Sequence, residues 1–99
     1  MFYDLLYRPR KSRFEIEVED HVYAYIYFRK NEDRFELFFT FVPEEFRGKG
    51  IGEDLVLKTL DFIKKSGWQE IATCPFILAI KSKVARSHPR RSNRQFQSV

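Results

Sequence analysis

Arg47-Gly48-Lys49-Gly50-Ile51-Gly52 lies between an apolar run that ends at Val42 and Pro43 and a helical pattern that begins near Ile51. Its three glycines, at alternate positions, have no Cβ, so backbone N–H groups can turn inward and approach an anion closely. The amides that follow open a helix, where the first N–H groups lack internal partners and the summed peptide dipole places partial positive charge. Such a turn binds a diphosphate through main-chain groups alone, and Arg47 and Lys49 add full charges beside it. The plainer alternative is a glycine-rich turn with solvated charges. An expected strand before the turn and a helix after it favour the anion cradle.

Two phosphate loops fail on spacing, since a P-loop needs four residues between its Gly and its Gly-Lys-Ser/Thr, and the dinucleotide fingerprint needs G-x-G-x-x-G. The spacing does match the R/Q-x-x-G-x-G/A motif of the GNAT acetyltransferases, through Arg47, Gly50 and Gly52. The chain resembles that superfamily. The run FFTFVPEEFRGKGIGEDLVLKTLDFIKKSGWQEIATCPF is similar to its smallest, single-domain members, whose pattern is H-T-x-V-P, R-G-x-G-I-G, a helix, then C-P-F/Y; the likeness covers residues 13 to 77. It departs at Phe39, where the subgroup carries His before Thr40, and again after Phe76, where ILAIKSKVARSHP diverges.

The resemblance implies an α+β (α/β) chain with a minimal GNAT-like fold: an antiparallel β-meander, a β-α-β crossover and a C-terminal helix over a mixed sheet. It implies acetyl transfer from acetyl-CoA to a primary amine, on a small molecule or a protein lysine, by direct attack in a ternary complex. Main-chain groups around Phe41 and Val42 would hold the pantetheine arm, and Arg47, Gly48, Lys49, Gly50, Ile51 and Gly52 the diphosphate. Attack of this kind needs a neutral amine, a donor for the oxyanion and a proton for the departing thiolate. A backbone N–H near Val42 suits the oxyanion. Cys74, just past the end of the parallel strand, is the candidate for the proton or for accepting the acetyl group itself. Its plainer reading is a small apolar residue at a strand end, since free Cys is among the most buried residue types. Glu44 and Glu45 read as solvated turn acids, and the general base stays unassigned.

At 99 residues, with 11 Phe and 5 Tyr, the chain has room for one domain and apolar bulk for a small core. No apolar stretch reaches the roughly 18 residues that span a bilayer, and MFYDLLYRPRK lacks the order of a signal peptide, so the expectation is a cytoplasmic protein. One cysteine precludes an internal disulfide, and His21 and His88 are too far apart in sequence to suggest a metal site. All 14 acidic residues precede residue 71, whereas Lys81, Lys83, Arg86, Arg90, Arg91 and Arg94 form an acid-free tail. Basicity therefore belongs to the tail rather than to the fold.

Residues 1–12 read as a lead-in. From Arg13 to Glu19, Phe14, Ile16 and Val18 alternate with Glu15, Glu17 and Glu19, which predicts a half-buried strand near an edge. His21 to Arg29 alternates Val22, Ala24, Ile26 and Phe28 with Tyr23, Tyr25 and Tyr27, a strand with both faces covered, one of them by the tyrosines. Phe35 to Val42 turns apolar on both faces at Leu37 to Phe39, as a central strand does. Leu55, Val56, Thr59, Leu60 and Ile63 recur at helical spacing, with Glu53 and Asp54 in the first turn, Lys64 and Lys65 in the last and Gly67 as the stop. The two acids oppose a bound diphosphate, and Arg47 and Lys49 outweigh them. Trp68 to Thr73 predicts a strand parallel to Phe35–Val42. Phe76, Ile77, Ala79, Ile80 and Val84 are spaced for a second helix covering the sheet. Residues 13–86 are thus expected to form one domain, which by the resemblance is GNAT-like and binds acetyl-CoA, and the polar, aperiodic residues 87–99 a disordered tail. The alternative to an enzyme is a non-catalytic CoA-binding module, or a module for protein or nucleic-acid interaction in which the basic tail contacts phosphates.

Overall fold

The computed structural model describes residues 3–87. Three long strands, β2 (Arg13–Glu19), β3 (Val22–Asn31) and β4 (Arg34–Phe41), run antiparallel in sequence order, and a short β5 (Gln69–Ala72) lies parallel to β4. Between β4 and β5 runs helix α1 (Ile51–Lys65), and after β5 comes α2 (Pro75–Ser87). Meander, crossover and C-terminal helix are thus as the apolar periods and the resemblance lead one to expect. The expected disorder of the tail falls outside the described residues, apart from Ser87, which closes α2. No helix among the described residues is long and apolar enough to cross a membrane.

The sheet begins one strand earlier than expected, because Leu6–Arg8 within the lead-in forms β1 and pairs antiparallel with β2. Three residues are too few to show a period. What holds them is tertiary: the Tyr7 ring stacks on Phe14 at 5.2 Å between centroids and meets Phe28, Phe35, Phe62 and Trp68 at about 6 Å. With β1 beside it, β2 is interior, and Glu15 is corrected from an exposed strand acid to a buried one, 1% exposed. Its carboxylate accepts from Arg8 Nε at 2.9 Å and Arg13 Nε at 2.7 Å. Burial pushes the Glu15 carboxyl up, but the two guanidinium hydrogen bonds outweigh that and hold it below the usual carboxylate range.

Phe14, Ile16, Ala24, Ile26, Phe28, Phe35 and Leu37 form one cluster with Leu55, Val56 and Ile63 of α1 and Ile77 and Ile80 of α2. Each of the larger side chains contributes about 1.5–3 kcal/mol by leaving water. The buried residues of both helices join this single cluster, so the second face of the sheet is not covered as the double apolarity of β4 suggested. It carries aromatic rows instead, with Phe39 and Ile71 each 44% exposed.

Candidate functional site

β4 and β5 pair only from Arg34 to Leu37 and from Gln69 to Ala72. At the end of the pairing the Leu37 carbonyl accepts from both Thr73 N, at 3.0 Å, and Cys74 N, at 3.2 Å. Pro75 then starts α2, and its missing N–H cannot extend a ladder. The strands therefore part after Leu37, and residues 38–41 keep β3 on one side with no strand on the other. Within that stretch β4 bulges: Phe28 pairs with Leu37 but Tyr27 with Phe39, which leaves Phe38 as the extra residue. One consequence is that Thr40, opposite Ile26, faces the helices, where its Oγ1 lies 3.4 Å from Cys74 Sγ.

The gap opens into a groove of about 400 Å³ lined by Phe39, Thr40, Phe41, Val42, Arg47 and Phe76. A second hollow of about 380 Å³ shares Val42, Arg47 and Phe76 and continues along Gly48, Gly50 and Gly52 to Glu53. Gly48 and Gly50 have φ of 79° and 82°, the left-handed region that disfavours any Cβ, and Gly50 is the N-cap of α1. Gly52 is needed for a different reason. A Cβ there would stand 2.8 Å from Phe76 Cζ and 3.3 Å from Val42 Cγ2, so its bareness lets the Phe76 ring lie against the turn. The first amides of α1 have no acceptor within the helix and supply donors there.

Arg47 is the hinge of the two hollows. Its Nε donates to the Val42 carbonyl at 2.8 Å, and its guanidinium lies 6.0 Å from the Phe41 ring centroid. Phe41, Val42, Gly48, Gly50 and Gly52 line the hollows as the motif implies, whereas Ile51 is buried in the core and Lys49 points to the Phe46 ring at 6.0 Å. The acids of the first helical turn are less opposed to an anion than their charges suggest. Glu53 pairs with Lys83 of α2 at 3.0 Å and Asp54 with Lys58 at 3.0 Å.

Cys74 is 6% exposed and belongs to the core cluster; Thr40, not Cys74, forms the groove wall. Glu36, which the sequence reading passed over, stands one residue before the point of separation. It accepts from Thr73 Oγ1 at 3.0 Å and lies 3.5 Å from Arg29 Nη1. The available signal was a lone acid inside FELFFTF. Glu44 and Glu45 sit exposed in a short 3-10 turn, Glu44–Phe46. At the β2–β3 turn the fold gathers ligand atoms of Glu17, Asp20 and His21 within 4.8 Å, all exposed, a grouping that the wide separation of the two histidines did not suggest. It is a property of the turn, in which Glu17 accepts from the His21 amide at 2.9 Å.

A meander whose last strand splays from a parallel neighbour, with a glycine turn feeding a helix, matches the arrangement the sequence resemblance implies. The family model described as GCN5-related N-acetyl-transferase matches residues 13–90. The chain belongs to the GCN5-related N-acetyltransferases. No match was found among curated proteins. Membership makes acetyltransferase-type function the general expectation, and within that family Phe39 and Thr40 are side chains that this member brings to the gap, while Glu36, just before it, lines a separate hollow with Arg29, Arg34 and Ile71.

Proposed function

We propose that this N-acetyltransferase moves an acetyl group from acetyl-CoA to a primary amine, on a small molecule or a protein lysine, by direct attack within a ternary complex. The observation that carries the proposal is the continuity of the two hollows. One end is a turn of left-handed glycines at a helix N-terminus, and the other is the strand gap beside Thr40 and Phe39. The fit is supported by Gly52, bare where a Cβ would push the Phe76 ring aside. In this reading main-chain groups around Phe41 and Val42 hold the pantetheine arm, and residues 47–52 hold the diphosphate.

Bound acetyl-CoA supplies an acyl thioester that amines attack. The Glu36 carboxylate, at the point of separation, takes the proton that the amine nitrogen loses as its bond to the carbonyl carbon forms. A backbone N–H near Val42 donates to the carbonyl oxygen as charge builds on it. Thr40 Oγ1 passes a proton to the leaving sulfur as it takes one from the Cys74 thiol 3.4 Å behind it, which leaves Cys74 as the thiolate until solvent reprotonates it. Burial behind Thr40 gives Cys74 a donor's position and not a nucleophile's.

Calorimetric titration with acetyl-CoA and CoA tests the groove: saturable binding in the micromolar range is expected, and none at millimolar ligand refutes the reading. The reading of the protein as a non-catalytic CoA-binding module draws on Phe39 standing where the subgroup has His. Glu36→Gln separates the two. It should leave CoA affinity unchanged and lower acetyl transfer by roughly 10²–10⁴-fold.

A further inference from the structure

Among the described residues no element covers the second face of the sheet. Its rings lie in two rows, Tyr25 and Tyr27 on β3 and Phe39 and Phe41 on β4, with Phe38 brought alongside by the bulge. The stacked guanidinium groups there are already balanced. Arg13 lies 4.3 Å from the Tyr25 centroid and pairs with Glu15 at 2.7 Å, and Arg29 lies 3.9 Å from the Phe38 centroid and 3.5 Å from Glu36. The middle of the face is therefore neutral and rich in rings and arginine, the residue types enriched where protein surfaces bury each other. Unbalanced charge stands at the two ends instead. Where β2 turns into β3, Glu17 and Asp20 lie exposed beside His21. At the other end of the strands Arg29, Lys30, Asn31 and Arg34 line a hollow of about 430 Å³ with Glu36 and Ile71, three cations against one acid, and the acids Glu32 and Asp33 lie in the turn beyond the strand ends. Tyr23 stands opposite Glu17 and Asn31 opposite Arg34, so the acidic and basic ends are about 26 Å apart along β3.

We propose that this face binds a second copy of the chain, sheet against sheet, with the strands of the two copies antiparallel. A two-fold axis that lies in the interface and crosses the strands turns each face over onto its twin, so the acidic end of one copy comes over the basic end of the other. The face thus complements itself, whereas a partner of one charge sign would meet a like charge at one end. The area suffices. The five strands hold about 30 residues, and at about 16 Å² of sheet per residue each copy offers a footprint of about 500 Å². Two copies together reach about 1,000 Å² before the relief of the rings is counted, which is the size a specific interface needs. Phe39, 44% exposed, belongs both to this face and to the wall of the groove, so pairing also shields the groove's outer lip.

Sedimentation of the full chain from low to high micromolar concentration, in low and in high salt, tests the proposal, and its outcome does not depend on the transferase reading. A reversible dimer with a micromolar Kd is expected, weaker in high salt because the charges at the two ends are exposed and screened. Glu17→Lys and Arg34→Glu each set like charges against each other at both symmetry-related contacts, and each should raise Kd about ten-fold. The double variant, which exchanges the two ends, should bring Kd back toward the wild-type value. Both side chains are exposed, so the thermal midpoint should stay close to that of the wild type in all three variants. A chain that stays monomeric throughout overturns the proposal. So does a dimer whose Kd neither reversal changes, since it pairs through another surface, or a double variant that dimerises no better than the single ones.

Discussion

Replacing Gly50 by Asp and by Asn is the sharpest test of the cradle, because the two side chains are nearly the same size and differ by one charge. At Gly50 a Cβ would meet nothing within 4 Å, so neither substitution causes a clash. The backbone at φ 82° adds strain of about 1 kcal/mol, at the low end because Asn and Asp visit the left-handed region most readily. Both variants should therefore fold with similar small losses in thermal midpoint. Binding should separate them. A unit charge about 4 Å from another is worth about 1 kcal/mol even in bulk water, so the added carboxylate opposes the two charges of a diphosphate by about 2 kcal/mol. That is a roughly 30-fold rise in Kd for Asp over Asn, measured by calorimetry with CoA, and it should shrink as salt screens the repulsion. Asp and Asn variants that bind CoA equally, both close to wild type, would refute the placement of the diphosphate at this turn.

Gly52→Ala puts a methyl 2.8 Å from Phe76 Cζ, and the half-exposed ring can swing away at a cost of about 1 kcal/mol, which the better helix propensity of Ala within α1 largely offsets; CoA affinity should fall about ten-fold while the thermal midpoint moves little. Glu15→Gln leaves two guanidinium groups facing a neutral amide and should cost about 2 kcal/mol, less than a fully buried pair because Arg8 is half-exposed. Since the native Glu15 carboxyl titrates below its ordinary value, its contribution is complete above about pH 4.3 and disappears as pH falls through the lowered native value. Denaturation at pH 7 should thus separate wild type from Glu15→Gln, and the difference should shrink as the pH is taken progressively below the ordinary carboxylate range. Cys74→Ala should cost about 1 kcal/mol of stability and slow acetyl transfer at least ten-fold, whereas Cys74→Ser should restore rate more than stability; a rate unchanged in both variants would leave the thiol a packing residue.

Much of this molecule follows from local pattern. The alternation of Phe14 and Ile16, of Ala24 and Ile26, and the 3.6-residue recurrence from Leu55 to Ile63 define strands and helix, because each element buries one face against a single core. The glycines at 48, 50 and 52 announce the turn, since a left-handed φ and a ring against the backbone both exclude a side chain. Family membership was legible in the order of the motifs. β1 was not, because its three residues are ordered by the Tyr7 ring packing on a distant cluster, and the burial of Glu15 follows from that strand. The bulge at Phe38 was also hidden, since FELFFTF reads as a strand apolar on both faces whether the second face lies under a layer or open.

By itself, then, the sequence determined the order of the elements from β2 to α2, their core faces, the glycine turn and the family, all of which depend on neighbours along the chain. Only the tertiary structure decided that the pairing of β4 and β5 stops at Leu37, that Thr40 screens Cys74, that Glu36 stands at the point of separation and that Phe39 faces outward. The physical reason is register: one extra residue in β4 changes which side chain faces which side. Its position is set by the pairing of β4 with its hairpin neighbour β3 on one side and with β5, a helix further along the chain, on the other.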